Sequence, residues 1–319
     1  MTHNLEQSVR LMVKAAAAGA KVLFLPEASD YIAGTFQESL ALARPVGESP
    51  YVVGLQSAAR KHGIAVNVGI HVPVSLAPSG RAANVVVPTS SHTTSQKGTT
   101  TEGPPSVPPL EPGAELPQGQ PKLYNRSIWI DADGTILSHA TYDKLHLFDF
   151  ADLRESAHTQ AGNAIVPPFD TAVGRVGSLI CFDLRFPEPS LRLAHPPPAL
   201  VARGFRPAQI ITYPSAFTVP TGRAHWEVLL RARAIECQSW VVAAAQVGPH
   251  NPKRISYGHS MAVDPWGRVV CRLGGVSDDG SVEEDAVEAI GLFDIDLNEW
   301  EAVRRKMPLI RRTDVYPEI

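Results

Sequence analysis

Only three cysteines occur in 319 residues, Cys181, Cys237 and Cys271, an odd number at wide spacing. That argues against a disulfide framework and for a reducing compartment. The absence of a close cysteine pair also removes the usual spacing of a zinc site. Neither sign of charge is in excess: 29 Lys and Arg against 32 Asp and Glu give a formal net charge of −3. No global field therefore selects nucleic acid or an anionic membrane. No apolar run is long enough to span a bilayer. The first residues, Met1-Thr2-His3-Asn4-Leu5-Glu6-Gln7, have neither the basic start nor the apolar stretch of a secretory signal. No short period repeats along the chain. What is present is a globular composition, 44% apolar and 19% charged, long enough for one large core or two modest ones.

Helix and strand patterns alternate over most of the length. Leu5, Val9, Met12, Val13, Ala16 and Ala20 recur at helical spacing, with Gly19 placed as a C-terminal cap. Residues 21–25 read as a buried strand ending at Pro26-Glu27. Ser49, Pro50 and Gly63 frame a second helix as N-cap, first residue and stop, and 64–74 is the next strand. From 75 to 121 the chain turns to Pro, Gly, Ser and Thr, with 82–88 as its only apolar island. Such a stretch buries too little to offset ordering entropy, so a disordered surface insertion is expected. Leu123–Ile130 and residues 135–141 flank Asp131-Ala132-Asp133-Gly134 as a hairpin, and its second strand runs into Tyr142-Asp143-Lys144. Helices are expected near Pro187, stopped by His195-Pro196-Pro197-Pro198, and over 225–237. A short insertion is read at 195–206. Further strands are expected at 209–213, 240–246, on both sides of Asp264-Pro265-Trp266-Gly267, and at 291–297, before a short helix from Asn298. The alternation specifies an α/β layered protein, read as a single domain over 1–319.

Cys181 ends the strand-like run Val176-Gly177-Ser178-Leu179-Ile180 and opens Phe182-Asp183-Leu184-Arg185-Phe186-Pro187-Glu188. A cysteine where a strand becomes a helix can have its thiolate stabilised by the first free N–H groups; the alternative is a small core residue. Glu27 and Lys144 also follow strands, and ligands of layered α/β folds collect outside the carboxyl ends of strands. Together the three types suit acyl transfer. The sulfur attacks a carbonyl carbon, the carboxylate carries the thiol proton to the leaving amine, and the ammonium with backbone N–H groups stabilises the oxyanion. Read singly, Glu27 could equally cap a helix and Lys144 could be solvated. His146 reads as structural, and nothing local makes His225 or His259 a partner of Cys181. Cys237 and Cys271 fall in core patterns. Asp278, Asp279, Glu283, Glu284 and Asp285 lack the spacing of a calcium loop and read as a solvated turn. Arg311 and Arg312 read as surface or subunit-contact charges.

Leu25-Pro26-Glu27-Ala28, Tyr142-Asp143-Lys144-Leu145-His146-Leu147-Phe148-Asp149 and Cys181-Phe182-Asp183-Leu184-Arg185-Phe186-Pro187-Glu188 resemble, in order, the three signature segments of the nitrilase (carbon–nitrogen hydrolase) superfamily. Within it the chain is most similar to the Nit amidases. Segments 26–31, 213–218 and 221–226 are similar to those of fungal deaminated glutathione amidases. The resemblance implies a four-layer α-β-β-α sandwich and a Glu-Lys-Cys triad. Glu27 would be general base and acid, Lys144 the oxyanion stabiliser, Cys181 the nucleophile, and Glu155 a second glutamate that orients Lys144 and water. The Phe182 N–H would complete the oxyanion hole, and Arg185, Phe217 and Arg223 are candidates to hold the substrate. The implied activity is hydrolysis of the primary amide of a small oxo acid, deaminated glutathione first, through a thioester with release of ammonia. No metal or organic cofactor is implied, and neither a nucleic-acid nor a membrane partner; a homodimer is. The alternatives are an omega-amidase acting on shorter 2-oxo dicarboxylate monoamides, and a catalytically impaired binding or scaffold protein. A cytoplasmic location is expected, or a mitochondrial one if an N-terminal extension is missing. The chain departs from the family in starting one element late, without the usual first strand, which leads to an expectation of reduced solubility and activity.

Overall fold

The computed structural model describes residues 1–74, 121–150, 153–252, 254–284 and 286–316, so the expected insertion at 75–121 lies, save its last residue, outside the described residues. Helix α1 (Thr2–Ala17) leads into strand β1 (Val22–Phe24). Helix α2 (Phe36–Leu42) carries no strong periodicity and is absent from the sequence reading. Thr35 starts it by accepting the Glu38 N–H at 3.2 Å, and Glu38 reaches back to the Gly34 N–H. Helix α3 (Pro50–His62) has the expected frame, with Ser49 as N-cap, Pro50 in the first turn and Gly63 left-handed at φ 63°. β2 (Ala65–Pro73), β3 (Leu123–Ile130) and β4 (Tyr142–Asp143) complete a four-stranded sheet in the order β1-β2-β3-β4. β2 is parallel to β1 and antiparallel to β3, which sets His71 opposite Asn125. The expected hairpin strand at 135–141 does not form. Only an Ile130–Ile136 bridge follows the turn, and Ser138–Ala140 coil into a 3-10 turn before β4. α3 holds the turn instead, because Gln56 and Arg60 donate to the Gly134 and Asp133 carbonyls.

Two short paired strands, β5 (Asp149–Phe150) and β6 (Leu153–Arg154), precede the second sheet. Its first members are β7 (Phe169–Thr171), β8 (Gly174–Ser178), β9 (Ile210–Thr212) and β10 (Trp240–Ala243). Between them lie α4 (Pro187–Ala194), the single turn α5 (Pro198–Val201) inside the expected insertion at 195–206, and α6 (Val219–Cys237). α6 begins six residues before the sequence expectation, since Pro220 sits in a first turn that needs no donor. β11 (Val247–Asn251) and β12 (Arg254–Tyr257) form a separate hairpin. β13 (Met261–Val263) and β14 (Val269–Arg272) then finish a six-stranded sheet, ordered β14-β13-β10-β9-β8-β7, before helix α7 (Leu297–Lys306).

Three cores show how the layers stack. Val66, Val68, Ile70 and Val72, on one face of β2, pack with Met12, Tyr51, Val52 and Leu55 of α1 and α3. Ala65 on the opposite face joins Trp129, Phe169, Val176, Ile210, Trp240 and Val242 between the sheets. Leu179, just past β8, and Ile211, Val241 and Val263 of the second sheet pack with Leu193 of α4 and Trp226, Leu230 and Ala234 of α6. Strand alternation thus feeds a helical layer on one side and the facing sheet on the other, which is the expected α-β-β-α sandwich.

β1 stands at the edge of the first sheet. A cavity of about 1020 Å³ lies beyond it, lined by residues 20–26 on one side and 286–295 on the other. The expected strand at 291–297 keeps the alternating burial of a strand, with Phe293 and Ile295 packed into the inter-sheet core. It has no strand partner among the described residues, because the space beside it is this cavity.

Candidate active site

The loops that follow β1, β4 and β8 meet at one cluster. Glu27 comes close to β2 only because residue 69 is glycine: a Cβ there would lie 2.6 Å from the Glu27 Cα. Ala28 and Cys181 have φ of 54° and 44°. Left-handed backbone at such residues costs about 1–3 kcal/mol and persists only where the surroundings impose it. Here the Ser29 N–H is bound to the Gly69 carbonyl at 2.8 Å, and the Cys181 N–H to the Pro214 carbonyl at 3.0 Å.

Cys181 opens a 3-10 turn, Cys181–Arg185, and α4 starts only after it. Asp183 organises that turn. Its carboxylate is fully buried and accepts from the Tyr142 hydroxyl (2.7 Å), the Ile180 N–H (3.0 Å), and the N–H and Nδ1 of His146 (3.0 and 2.7 Å). It ties the cysteine turn to the segment that carries Lys144. His146 is committed to Asp183 and to stacking on Phe186 at 3.7 Å, in keeping with a structural role.

Lys144 is 2% exposed. Its Nζ lies 2.9 Å from Glu27 Oε1, and 3.1 and 2.9 Å from the two oxygens of Glu155. Asn125 Nδ2 donates to the same two carboxylates, at 2.6 Å to Glu27 and 3.1 Å to Glu155. The Phe148 N–H holds Glu155 Oε2 at 2.7 Å. The Cys181 thiol hydrogen-bonds to Glu27, with the Ala216 backbone N–H as a further partner.

Burial by itself would raise the Glu27 carboxyl. Lys144 outweighs it, helped by hydrogen bonds from Cys181, Lys144 and Asn125, and the carboxyl is held below its ordinary range. Burial likewise disfavours the Lys144 ammonium, but Glu155, Glu27 and Cys181 keep it charged, well above its ordinary value. Burial pushes the Cys181 thiol up and Glu27 adds to this, against a smaller opposing effect of Lys144. The resting sulfur is therefore a thiol. This corrects the expectation of a thiolate stabilised by a helix start, since two carboxylates already face one ammonium. Such a site needs a base to take the thiol proton, and Glu27 is in place for it.

The other expected residues divide. No acceptor among the described residues takes the Phe182 N–H, next to Cys181. Arg185 has its guanidinium carbon 5.7 Å from the Phe182 ring and 5.9 Å from the Phe217 ring, with Nη2 3.0 Å from His225 Nδ1. Arg185 and Phe217 are thus gathered beside the cysteine turn. Arg223 turns to the Ser277 carbonyl and to Asp278 at 3.7 Å, on the exposed side of α6, and is not brought to Cys181. His259 Nδ1 donates to the Leu273 carbonyl, 3.4 Å away, and its own carbonyl takes the Trp226 indole N–H. Cys237 is fully buried and Cys271 half-buried, both unpaired.

Sequence reasoning missed Asn125 and Asp183. Asn125 stands in Leu123-Tyr124-Asn125-Arg126-Ser127-Ile128, where a polar residue alternates onto the buried face of an apolar strand; that is the available signal. Asp183 has none, because three of its four donors come from the distant segment 142–146.

A profile of the carbon-nitrogen hydrolase family matches residues 1–81 and 110–305. The chain is 39% identical to the probable hydrolase nit2 of Schizosaccharomyces pombe, over 99% of this chain and 94% of that protein. It is 37% identical to the deaminated glutathione amidase of Mus musculus, over 98% of this chain and 80% of that one. Among solved structures it is similar to the Caenorhabditis elegans NitFhit protein, with TM-score 0.74 and 34% identity, over 99% of this chain; it spans 63% of that longer chain. It is also similar to Saccharomyces cerevisiae Nit3, with TM-score 0.66 and 25% identity, covering 98% of this chain and 90% of that one.

Proposed function

The chain belongs to the carbon–nitrogen hydrolase family, and from that premise we propose that it hydrolyses the amide of a small oxo acid, deaminated glutathione, through a thioester on Cys181. The scissile amide of that substrate is secondary, which corrects the expectation of a primary amide: its leaving amine is cysteinylglycine, whereas a primary amide would release ammonia. The class of reaction, hydrolysis of an amide C–N bond, comes with the family. The observation that supports the step is the buried contact of the Cys181 thiol with Glu27, whose oxygen also receives the Lys144 ammonium.

In the proposed cycle Glu27 takes the thiol proton as sulfur bonds to the amide carbon. The oxyanion is met by a Lys144 N–H and the Phe182 N–H. Collapse breaks the C–N bond as Glu27 returns the proton to nitrogen, so the amine leaves (cysteinylglycine from deaminated glutathione, ammonia from a primary amide) and a thioester remains. Water then gives a proton to Glu27 and attacks the thioester; breaking the C–S bond returns that proton to sulfur and frees the acid. Glu155 and Asn125 hold Lys144 and Glu27 in register throughout. Arg185 is the candidate for a substrate carboxylate. Relatives at 37% identity carry the name deaminated glutathione amidase, which supports that substrate. A homodimer is part of the reading: Val228 and Ile235, exposed on α6, are the apolar surface that a second copy would cover. A monomeric sedimentation coefficient would remove that part.

The test is release of cysteinylglycine from deaminated glutathione beside release of ammonia from a short 2-oxo dicarboxylate monoamide, with intact-mass detection of an acyl adduct on Cys181. Preference for the first substrate and an adduct lost in Cys181→Ala are expected. Preference for the second makes the protein an omega-amidase. No amine released from either substrate and no adduct, in a folded sample, leaves a binding protein.

A further inference from the structure

His71 lies on β2 two residues beyond Gly69. Gly69 faces Glu27, and strand alternation puts His71 on the same face. Its register partner on β3 is Asn125, the residue that donates to both Glu27 and Glu155. β2 runs parallel to β1, whose carboxyl end delivers Glu27. Two strand residues span about 7 Å, so His71 stands roughly that far outward from Gly69, past the catalytic cluster.

Asp30 holds the ring. This carboxylate, 2% exposed, takes the His71 backbone N–H at 2.9 Å, Nδ1 at 3.0 Å and the Tyr31 N–H at 3.0 Å. Nδ1 therefore carries a proton, and Nε2 is the end left open; no hydrogen bond among the described residues occupies it, and the side chain keeps 21% exposure. The Tyr31 ring stacks on the imidazole with centroids 4.6 Å apart, a contact that favours a cation. Burial opposes the charge, but Asp30, with Glu27 and Glu155 behind it, outweighs burial and raises the His71 pKa above the ordinary value. No step of the proposed cycle uses this pair. The catalytic cluster itself sets two carboxylates against one ammonium, so it repels an anionic substrate unless a cation stands further out.

We propose that the His71 imidazolium, oriented by Asp30, binds a carboxylate on the substrate chain and so selects amides that bear one. This rests on the amidase reading of the cluster, and it adds a second cation, on β2, to Arg185 of the turn after β8.

The probes are glutaramate and pentanamide, amides of equal chain length with and without a carboxylate. His71→Gln raises KM for glutaramate roughly 10- to 100-fold, the loss of one charge-assisted hydrogen bond, and the loss does not appear with pentanamide. In the unaltered chain KM for glutaramate climbs as pH rises through the His71 pKa, and Asp30→Asn moves that climb to lower pH, because Asp30 raises the pKa. The same change in KM for both amides, or none for glutaramate, overturns the assignment. Calorimetric binding of glutarate reads the subsite without turnover, so a protein that cleaves neither these amides nor deaminated glutathione refutes the amidase reading alone. Glutarate should then still bind the unaltered chain and weaken by the same factor in His71→Gln. Equal affinity in both, or no binding to the unaltered chain, overturns the subsite.

Discussion

Replacing Glu27 by glutamine separates two effects of this carboxylate. Its charge opposes ionisation of Cys181, and in the proposed cycle its basicity carries the thiol proton. Glu27→Gln keeps the volume and an oxygen for Lys144 but removes both properties. Two unit charges about 4 Å apart at an effective dielectric near 20 interact by about 4 kcal/mol, enough to lower the thiol pKa by more than about one unit, with the Lys144 ammonium still beside it. The sulfur becomes easier to ionise, yet turnover falls, because nothing then delivers a proton to the leaving nitrogen. Loss of a general base costs roughly 10²- to 10⁴-fold, about 3–5 kcal/mol of barrier. The assay is the pH dependence of Cys181 alkylation by iodoacetamide, resolved from half-buried Cys271 by peptide mapping, beside ammonia release from the best primary amide. Ammonia release within tenfold of the unaltered chain would refute Glu27 as the base. An alkylation midpoint that stays put or moves up would refute the electrostatic account of the thiol.

Gly69→Ala places a Cβ 2.6 Å from the Glu27 Cα and 3.0 Å from the Pro26 carbonyl; turnover should fall by about 10²-fold through misplacement of Glu27, and normal kinetics would show that the loop yields freely. Asp183→Asn puts an amide donor among four donors inside the core; a loss of about 3–5 kcal/mol in denaturant unfolding is expected, and a shift below about 1 kcal/mol would contradict the organising role. His195 is pushed down to about 4 by burial and by Arg304. Between the ordinary histidine pKa near 6.5 and that value the unfolded chain binds a proton that the folded chain refuses, so this residue makes stability fall as pH drops through the window. His195→Asn should therefore narrow the gap between melting temperatures at pH 7 and pH 5, and an unchanged gap counts against it. Finally, the Leu25 N–H bonds the Asn67 carbonyl at 2.8 Å, whereas alternation turns the Val22 and Phe24 N–H groups toward the cavity. Their amide hydrogens should exchange faster than that of Leu25; equal protection would mean that the edge is covered in solution.

Elements with a local physical cause were legible before any coordinates. α3 announces itself by Ser49, Pro50 and Gly63, and β3 by an apolar run ahead of a turn. Elements whose shape depends on a distant partner were not. Residues 135–141 read as a strand until Gln56 and Arg60 of α3 claim the turn carbonyls, and 291–297 read as one although the space beside them is a cavity. Arg185 and Arg223 look alike in sequence, yet one stacks beside the cysteine turn and the other leaves for Asp278.

The amino-acid order by itself determined the layered class and offered Glu27, Lys144 and Cys181 at strand ends, which are local properties, while Glu155 entered only through the family resemblance. It could not determine the protonation of Cys181, which depends on how many carboxylates share a buried volume with one ammonium. Nor could it join Asn125 to both glutamates, Asp183 to His146, or Asp30 to His71. Those pairings exist only once β2, β3 and the loop after β8 are packed face to face, since hydrogen bonds and Coulomb forces act over ångströms of space and not along the chain.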